Sequence, residues 1–412
     1  MANEAEERHA SWLELFFDLT VVAAAAQIAH RLHGAESVGQ IAACAAMYYA
    51  IWSVWTTTSV YANVAGERTR RRAVLRTMLG VGVMAAAVPG VFPELLPDQG
   101  EQTLQGRTAA FTVAFLLCRG IAAQAASRDG QVIAFWPATQ GVMAAPWFVA
   151  LFVPPTVAYW LWGLAIVLDL ALSMLGARNP RALGERAARI QHKQEQEQRR
   201  NQWLGRLVRF GRGASDEPSA PALITVARVE RGHLDERLGL FVIIVLGEAV
   251  AQVVSANTDE PWTAAVVTAS VAAFFLVVIL WQLTTLYGFT PAPRSTKPLE
   301  PWQALPAHLG VTGSIVVVAA GLGALIPDAA GQLHAKHRWY VFGGLALYLV
   351  TSAIAGIAGR APLRWHLGWV VPSLFAAILI GLLGHGVSAW LLAVLAVIVL
   401  GWFASYNLLV KG

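Results

Sequence analysis

"SWLELFFDLTVVAAAAQIAH", Ser11–His30, is apolar enough to cross a lipid bilayer, yet it carries two carboxylates, Glu14 and Asp18. A helix of about 20 residues rises 1.5 Å per residue and covers about 30 Å, the thickness of the hydrocarbon core. An ionisable side chain near the bilayer centre costs about 2.5–3.5 kcal/mol on insertion scales, so it faces protein or a water-filled cavity. Glu14 and Asp18 are four residues apart and share one helical face. Two carboxylates that close in low dielectric resist simultaneous ionisation unless a cation intervenes. The stretch therefore predicts a span with one face turned inward.

The rest of the chain has the same character. Of 412 residues, 56% are hydrophobic and 13% charged, with a mean hydropathy of +0.53. A soluble domain carries about 25% charged residues. The fold class expected is an all-α, polytopic transmembrane helix bundle. The start of the chain (Glu4, Glu6, Glu7, Arg8) lacks the basic run and small-residue cleavage site of a removed signal. Cys44 and Cys118 lie far apart in apolar runs, without metal or redox spacing, and read as small packing residues. The formal charge of +5 sits between spans, where headgroups and the positive-inside rule account for it better than nucleic acid.

Twelve spans are expected, at 12–32, 40–62, 73–93, 108–127, 132–153, 156–176, 234–256, 262–288, 305–327, 339–359, 365–385 and 387–408. "GERTRRR", with Arg68, Arg70, Arg71 and Arg72, places the loop after the second span in the cytoplasm. Glu94, Asp98 and Glu101 fall outside by alternation, as do Asp259 and Glu260, while Arg294, Lys297, Arg360 and Arg364 fall inside. The loop with Lys336 and Arg338 dissents. Both termini come out cytoplasmic, in a cell inner membrane.

Residues 177–232 divide the chain. They hold twelve Arg and Lys against six Asp and Glu, and are too polar to bury a core. This is a basic cytoplasmic connector between two six-span repeats, 1–176 and 233–412. Within it, Trp203, Leu204, Leu207 and Val208 share a helical face, with Arg206, Arg209 and Arg212 mostly off it, a pattern suited to anionic headgroups. The repeat shows in "VWTTTSVY" (54–61) and "LWQLTTLY" (280–287), which align under a shift of 226. Trp55 then matches Trp281, Thr58 matches Thr284 and Tyr61 matches Tyr287. Six spans per half gives both halves the same orientation, with a pseudo-two-fold axis along the membrane normal.

Few ionisable groups lie within spans. Asp18, Arg119, Asp169 and Glu248 lie deep; Glu14, His233, Glu236, Arg237, His308 and His385 lie nearer the ends. His233 and Arg237 are four apart, and Arg237, Glu248 and Gln252 continue the same stripe. The opening helices of the two halves thus each present a polar stripe, and pseudo-symmetry can turn these stripes toward one another. Arg119 and Asp169 also suit a purely structural pairing, with each other or with Asp18. His308 and His385 read as hydrogen-bonding residues rather than ligands. No HExxH, CxxC or phosphate-loop motif is present, so neither metal nor cofactor is expected.

"WLELFFDLTVVAAAAQIAH" and "HLDERLGLFVIIVLGEAV" (233–250) closely resemble two signature stretches of the bacterial low temperature requirement A (LtrA) family. "WTTTSVYAN" (55–63) and "LLCRG" around Arg119 resemble further family segments. The resemblance implies a multi-pass membrane protein whose characteristic polar residues are Glu14, Asp18, Arg119, His233, Glu236, Arg237 and Glu248; it implies no particular activity. A more distant likeness is to the lysosomal potassium channel family, which opens on a Phe-Ser-Asp motif. Here Phe16-Phe17-Asp18 lacks the serine, so potassium selectivity does not carry over.

The leading expectation is a transporter or channel for protons, cations or a small molecule. Asp18 and Glu248 would handle the charge, Arg237 and Arg119 would compensate it, and Thr58, Thr284, Trp55 and Trp281 would line one mouth. One rival is an intramembrane enzyme on a lipid or apolar substrate, with Glu14, Asp18 and His233 as acid–base groups. Another is a sensor or assembly protein acting through the connector. Homo-oligomerisation is left open.

Overall fold

The computed structural model describes residues 11–66, 69–90, 101–128, 131–133, 144–177, isolated positions from 185 to 200, and 225–227, 229–290, 292–293 and 299–410. Within these, eleven helices are long and apolar enough to cross a membrane. The chain is an all-α polytopic bundle. Its helices are α1 (Trp12–Gly34), α2 (Val38–Ala65), α3 (Arg71–Ala87), α4 (Glu101–Arg128), α5 (Ala144–Val149) and α6 (Pro155–Ala177). After the connector follow α7 (Arg231–Ala256), α8 (Ala264–Tyr287), α9 (Pro301–Leu325) and α10 (Ala335–Ala358). The last are α11 (Leu363–Gly386), which passes through a π-helical turn at His366–Val370, α12 (Ala389–Ala404) and α13 (Tyr406–Val410).

Local chemistry sets several starts. Ser11 caps α1 in a capping box with Glu14: the Glu14 amide donates to Ser11 Oγ at 3.3 Å, and Ser11 N donates to Glu14 Oε2 at 2.7 Å. Ser37 and Gln40 repeat the device at α2, and Glu300 and Gln303 at α9. Gly66 ends α2 at φ 59°, a left-handed value that suits a residue without Cβ.

α2 and α9 are the most enclosed spans. α1 packs on α2, α3, α7 and α9, so it joins the two halves of the chain rather than belonging to one. α9 and α10 approach through glycines. A Cβ on Gly321 would lie 2.8 Å from the Val341 backbone nitrogen, and one on Gly344 would lie 3.1 Å from that of Val318. With no hydrophobic drive between helices in lipid, such close backbone approach supplies the packing that holds them together.

The expected fifth span, 132–153, is not among the eleven. Residues 134–143 lie outside the described residues, and the rest forms β1 (Gln131–Ile133), α5 and a 3₁₀ turn at Ala150–Phe152. The neighbouring helices nevertheless fix a direction. Phe111 meets Trp162, and Arg119 meets Asp169, so α4 and α6 run parallel and Arg128 and Pro155 lie toward opposite ends of the bundle. Arg68, Glu94, Asp98, Arg294, Lys297 and the Trp203–Arg212 face lie outside the described residues. β1 pairs in parallel with β2 (Thr225–Ala227), which ties the exit of α4 to the approach of α7. The proximal end of the bundle is here the end where α1 begins; the distal end is where it finishes.

Candidate functional site

Near the proximal end, α1, α2 and α7 bury a charged cluster. Arg237 Nη2 donates to Asp18 Oδ1 at 2.6 Å and to Ser59 Oγ at 3.2 Å. The Trp55 indole donates to the same Asp18 oxygen at 2.6 Å. One turn nearer the end, Glu14 Oε2 lies 3.7 Å from His233 Nε2 and 4.0 Å from Arg237 Nη1. The polar stripes of the two opening helices therefore face each other, each carboxylate meeting a cationic or ionisable group of α7. All four of these side chains are buried.

Asn63 fixes the histidine. Its amide accepts from Glu230 N at 2.8 Å and donates to Glu230 O at 2.9 Å, which sets which end is nitrogen. That nitrogen also donates to His233 Nδ1 at 3.1 Å. A neutral His233 must then carry its proton on Nε2, the atom turned toward Glu14.

The cluster does not close on itself. Asp18 Oδ2, His233 Nε2, and Arg237 Nε and Nη1 are buried and make no hydrogen bond among the described residues. Leaving a buried polar atom unmet costs about 1–3 kcal/mol, so four in one place calls for a reason. The charge balance supplies a clue. Among the described residues, two carboxylates against one guanidinium leave a single formal negative charge with His233 neutral.

An aromatic wall backs the cluster. His308 on α9 accepts from the Trp52 indole at Nδ1 (3.0 Å) and donates from Nε2 to Leu238 O (3.2 Å), so both ring nitrogens are spent. Its ring stacks on Trp55 at 5.2 Å and meets Phe241 at 5.3 Å. His308 holds α2, α7 and α9 in register and orients the indole that reaches Asp18.

Arg119 and Asp169 form a separate lock. Arg119 grips the carboxylate with two bonds, 2.7 and 3.1 Å, and the Tyr49 hydroxyl donates to it at 2.8 Å. Both Asp169 oxygens are engaged, and Arg119 also lies 5.6 Å over the Phe115 ring. This joins α2, α4 and α6 and does not touch Asp18.

Glu248 belongs elsewhere too. It follows Arg237 by eleven residues, about 16 Å along the helix, so the expected joint action of Asp18 and Glu248 has no contact behind it. Its carboxylate accepts from Gln252 at 2.7 Å. Gln252 Oε1 and His33 Nδ1 both lie within 4 Å of where a Gly323 Cβ would stand. There His33 and His337 stack at 4.8 Å, each with one ring nitrogen on a backbone carbonyl, of Ala320 and His33 respectively. Between this distal group and Asp18 stand Val21, Val22, Ala25, Phe241, Val245 and Leu246, all buried and apolar.

The repeat-matched residues differ in surroundings. Trp55 is fully buried, whereas Trp281 is 47% exposed. Thr58 and Thr284 are buried, each hydroxyl turned back to the carbonyl four residues earlier, Val54 and Leu280. Glu236 is half-buried on α7. Sequence reasoning missed Trp52, Ser59 and Asn63. The signal was their spacing with Trp55 (three, four and four residues), which sets all four on one face of α2.

The fold and this cluster define a multi-pass helical membrane protein with a charged site buried between its two halves. The family model described as bacterial low temperature requirement A protein (LtrA) matches residues 9–404, and the chain belongs to that family. An uncharacterized protein of Rhizobium meliloti (strain 1021) is 25% identical over 338 residues, covering 77% of this chain and 70% of that one. No solved structure matches the chain.

Proposed function

We propose that this protein is a transporter in which Asp18, Arg237, Glu14 and His233 form a proton-handling site. The observation that supports this best is the set of four buried polar atoms with unspent hydrogen-bonding capacity, on Asp18, His233 and Arg237. A purely structural ion pair has no use for such capacity; the bidentate Arg119–Asp169 pair meets both carboxylate oxygens. Of the four, Asp18 Oδ2 is the acceptor that can take a proton or meet a small cation, and the three N–H donors around it can orient a water or a substrate oxygen. A proton taken at Asp18 Oδ2, the carboxylate oxygen with no bond among the described residues, would bring that cluster to neutrality.

In this reading the apolar layer of Val21, Phe241, Val245 and Leu246 closes the site from the distal group of Glu248, Gln252, His33 and His337. Flux requires the first half to move against the second along the α1–α7 contact, the motion expected where a site lies between repeats. Proton and potassium flux into proteoliposomes under an imposed potential tests the proposal. Flux of either ion supports it. Absence of both, with turnover of a lipid or apolar substrate, would move the assignment to an enzyme using Glu14, Asp18 and His233.

A further inference from the structure

A second site lies at the proximal end, away from the charged cluster. Arg70, Arg71, Arg72 and Arg76 of α3 and its cap line a cavity of about 360 Å³ together with Ile121 and Gln124 of α4. That volume falls in the range of small-molecule sites. Among the described residues, no carboxylate lines it.

Several features of this corner favour an anion. Helix α3 starts on Arg70 with no side-chain cap and no acidic residue in its first turn. The N-terminus of a helix carries partial positive charge and unmet N–H donors, and it repels nearby cations. Here three consecutive arginines occupy the cap and the first two helical positions, and Arg76 adds a fourth positive charge one turn above Arg72. Like charges four apart on a helix also repel. A phosphate in the cavity would meet guanidinium forks, backbone N–H groups and the helix dipole at once.

The surface above the cavity narrows the source of that phosphate. Arg72, Arg76, Leu79 and Val83 lie on one stripe of α3; Gln124, Ile121, Leu117 and Val113 lie on one stripe of α4. The helices are drawn together between these stripes, where a Cβ on Gly80 would collide with Cys118 Sγ. Leu79 and Leu117 are 72% and 61% exposed, and Val83 and Val113 are also exposed. The basic cavity thus opens directly onto an apolar, lipid-facing groove. Soluble phosphate has no use for that groove, and an acyl chain does.

We infer that the start of α3 binds the phosphate of an anionic phospholipid, with an acyl chain lying along the α3–α4 groove. The site is independent of the transport proposal. Binding is read by native mass spectrometry and thermal stability of the detergent-purified protein, titrated with phosphatidylglycerol, phosphatidylcholine or inorganic phosphate. Phosphatidylglycerol is expected to stay bound and raise the melting temperature, and phosphatidylcholine to do neither. Arg72 and Arg76 are exposed, so R72Q/R76Q should fold as the wild type does. It is expected to bind phosphatidylglycerol about thirtyfold more weakly, each arginine contributing by its charge near the surface. R72K/R76K should recover part of that loss. Equal binding of both lipids by the wild type would overturn the assignment, a result that needs no variant. So would unchanged binding by R72Q/R76Q, or protection by inorganic phosphate that phosphatidylglycerol does not compete away.

Discussion

Asp18 and Arg237, 219 residues apart, meet at 2.6 Å inside the bundle and join the opening helix of the first half to that of the second. Asp18 uses one oxygen for both Arg237 and Trp55 and leaves the other without a partner among the described residues. A charge pair that is half spent holds two helices together and still has room for a further proton or ion.

The pair is coupled, and a double-mutant cycle should show it. Asp18→Asn or Arg237→Gln alone breaks the buried pair and is expected to cost about 3–5 kcal/mol. The double variant should lose less than the sum, because the second substitution has no Asp18–Arg237 contact left to break. Thermal unfolding in detergent reads the cycle, and additive losses would contradict the coupling.

His233 and His308 should separate cleanly. His308 has both nitrogens engaged, so His308→Phe is expected to lower stability by about 1–3 kcal/mol without altering the pH profile of transport. His233→Asn removes the ring held between Glu14 and Asn63 and is expected to lower flux in a folded protein. Wild-type flux in folded H233N would leave His233 outside the site.

Arg119 and Asp169 are expected to act as a lock alone. Asp169→Asn should lower the melting temperature, and Tyr49→Phe should cost about 1 kcal/mol for its lost bond, while flux per folded molecule stays at the wild-type value. Loss of flux in a stable D169N protein would extend the site to α4 and α6.

The close α9–α10 approach makes its own forecast. Gly321→Val places branched atoms against the Val341 backbone, which cannot rotate aside as a side chain can. Steric strain of about 1–3 kcal/mol is expected, read as a lower unfolding temperature. Gly82, which has open space around its Cβ position, should accept alanine with little change.

Sequence periodicity made the bundle legible, because an apolar run of helix length has few other uses. It also set Glu14 and Asp18 on one face and His233 and Arg237 on another, since four-residue spacing is intrinsic to the helix. Pairing across helices was beyond it. Glu248 lies on the stripe of Arg237, but the stripe runs along the helix axis and carries Glu248 to the distal group. Trp281 shares the local pattern of Trp55, yet it is 47% exposed while Trp55 is buried with its indole on Asp18. Asn63, Ser59 and Trp52 are uncharged, so they did not stand out as costly residues in a span.

Asp18 either serves transport or merely holds the helices together. Proton flux into proteoliposomes decides it, comparing wild type, Asp18→Asn, and Asp169→Asn as a control that loses a structural pair elsewhere. Flux is expected in the wild type and in folded D169N, and none in D18N that is reconstituted as a folded, monodisperse protein. Wild-type flux from folded D18N would contradict this expectation and reduce the Asp18–Arg237 pair to packing.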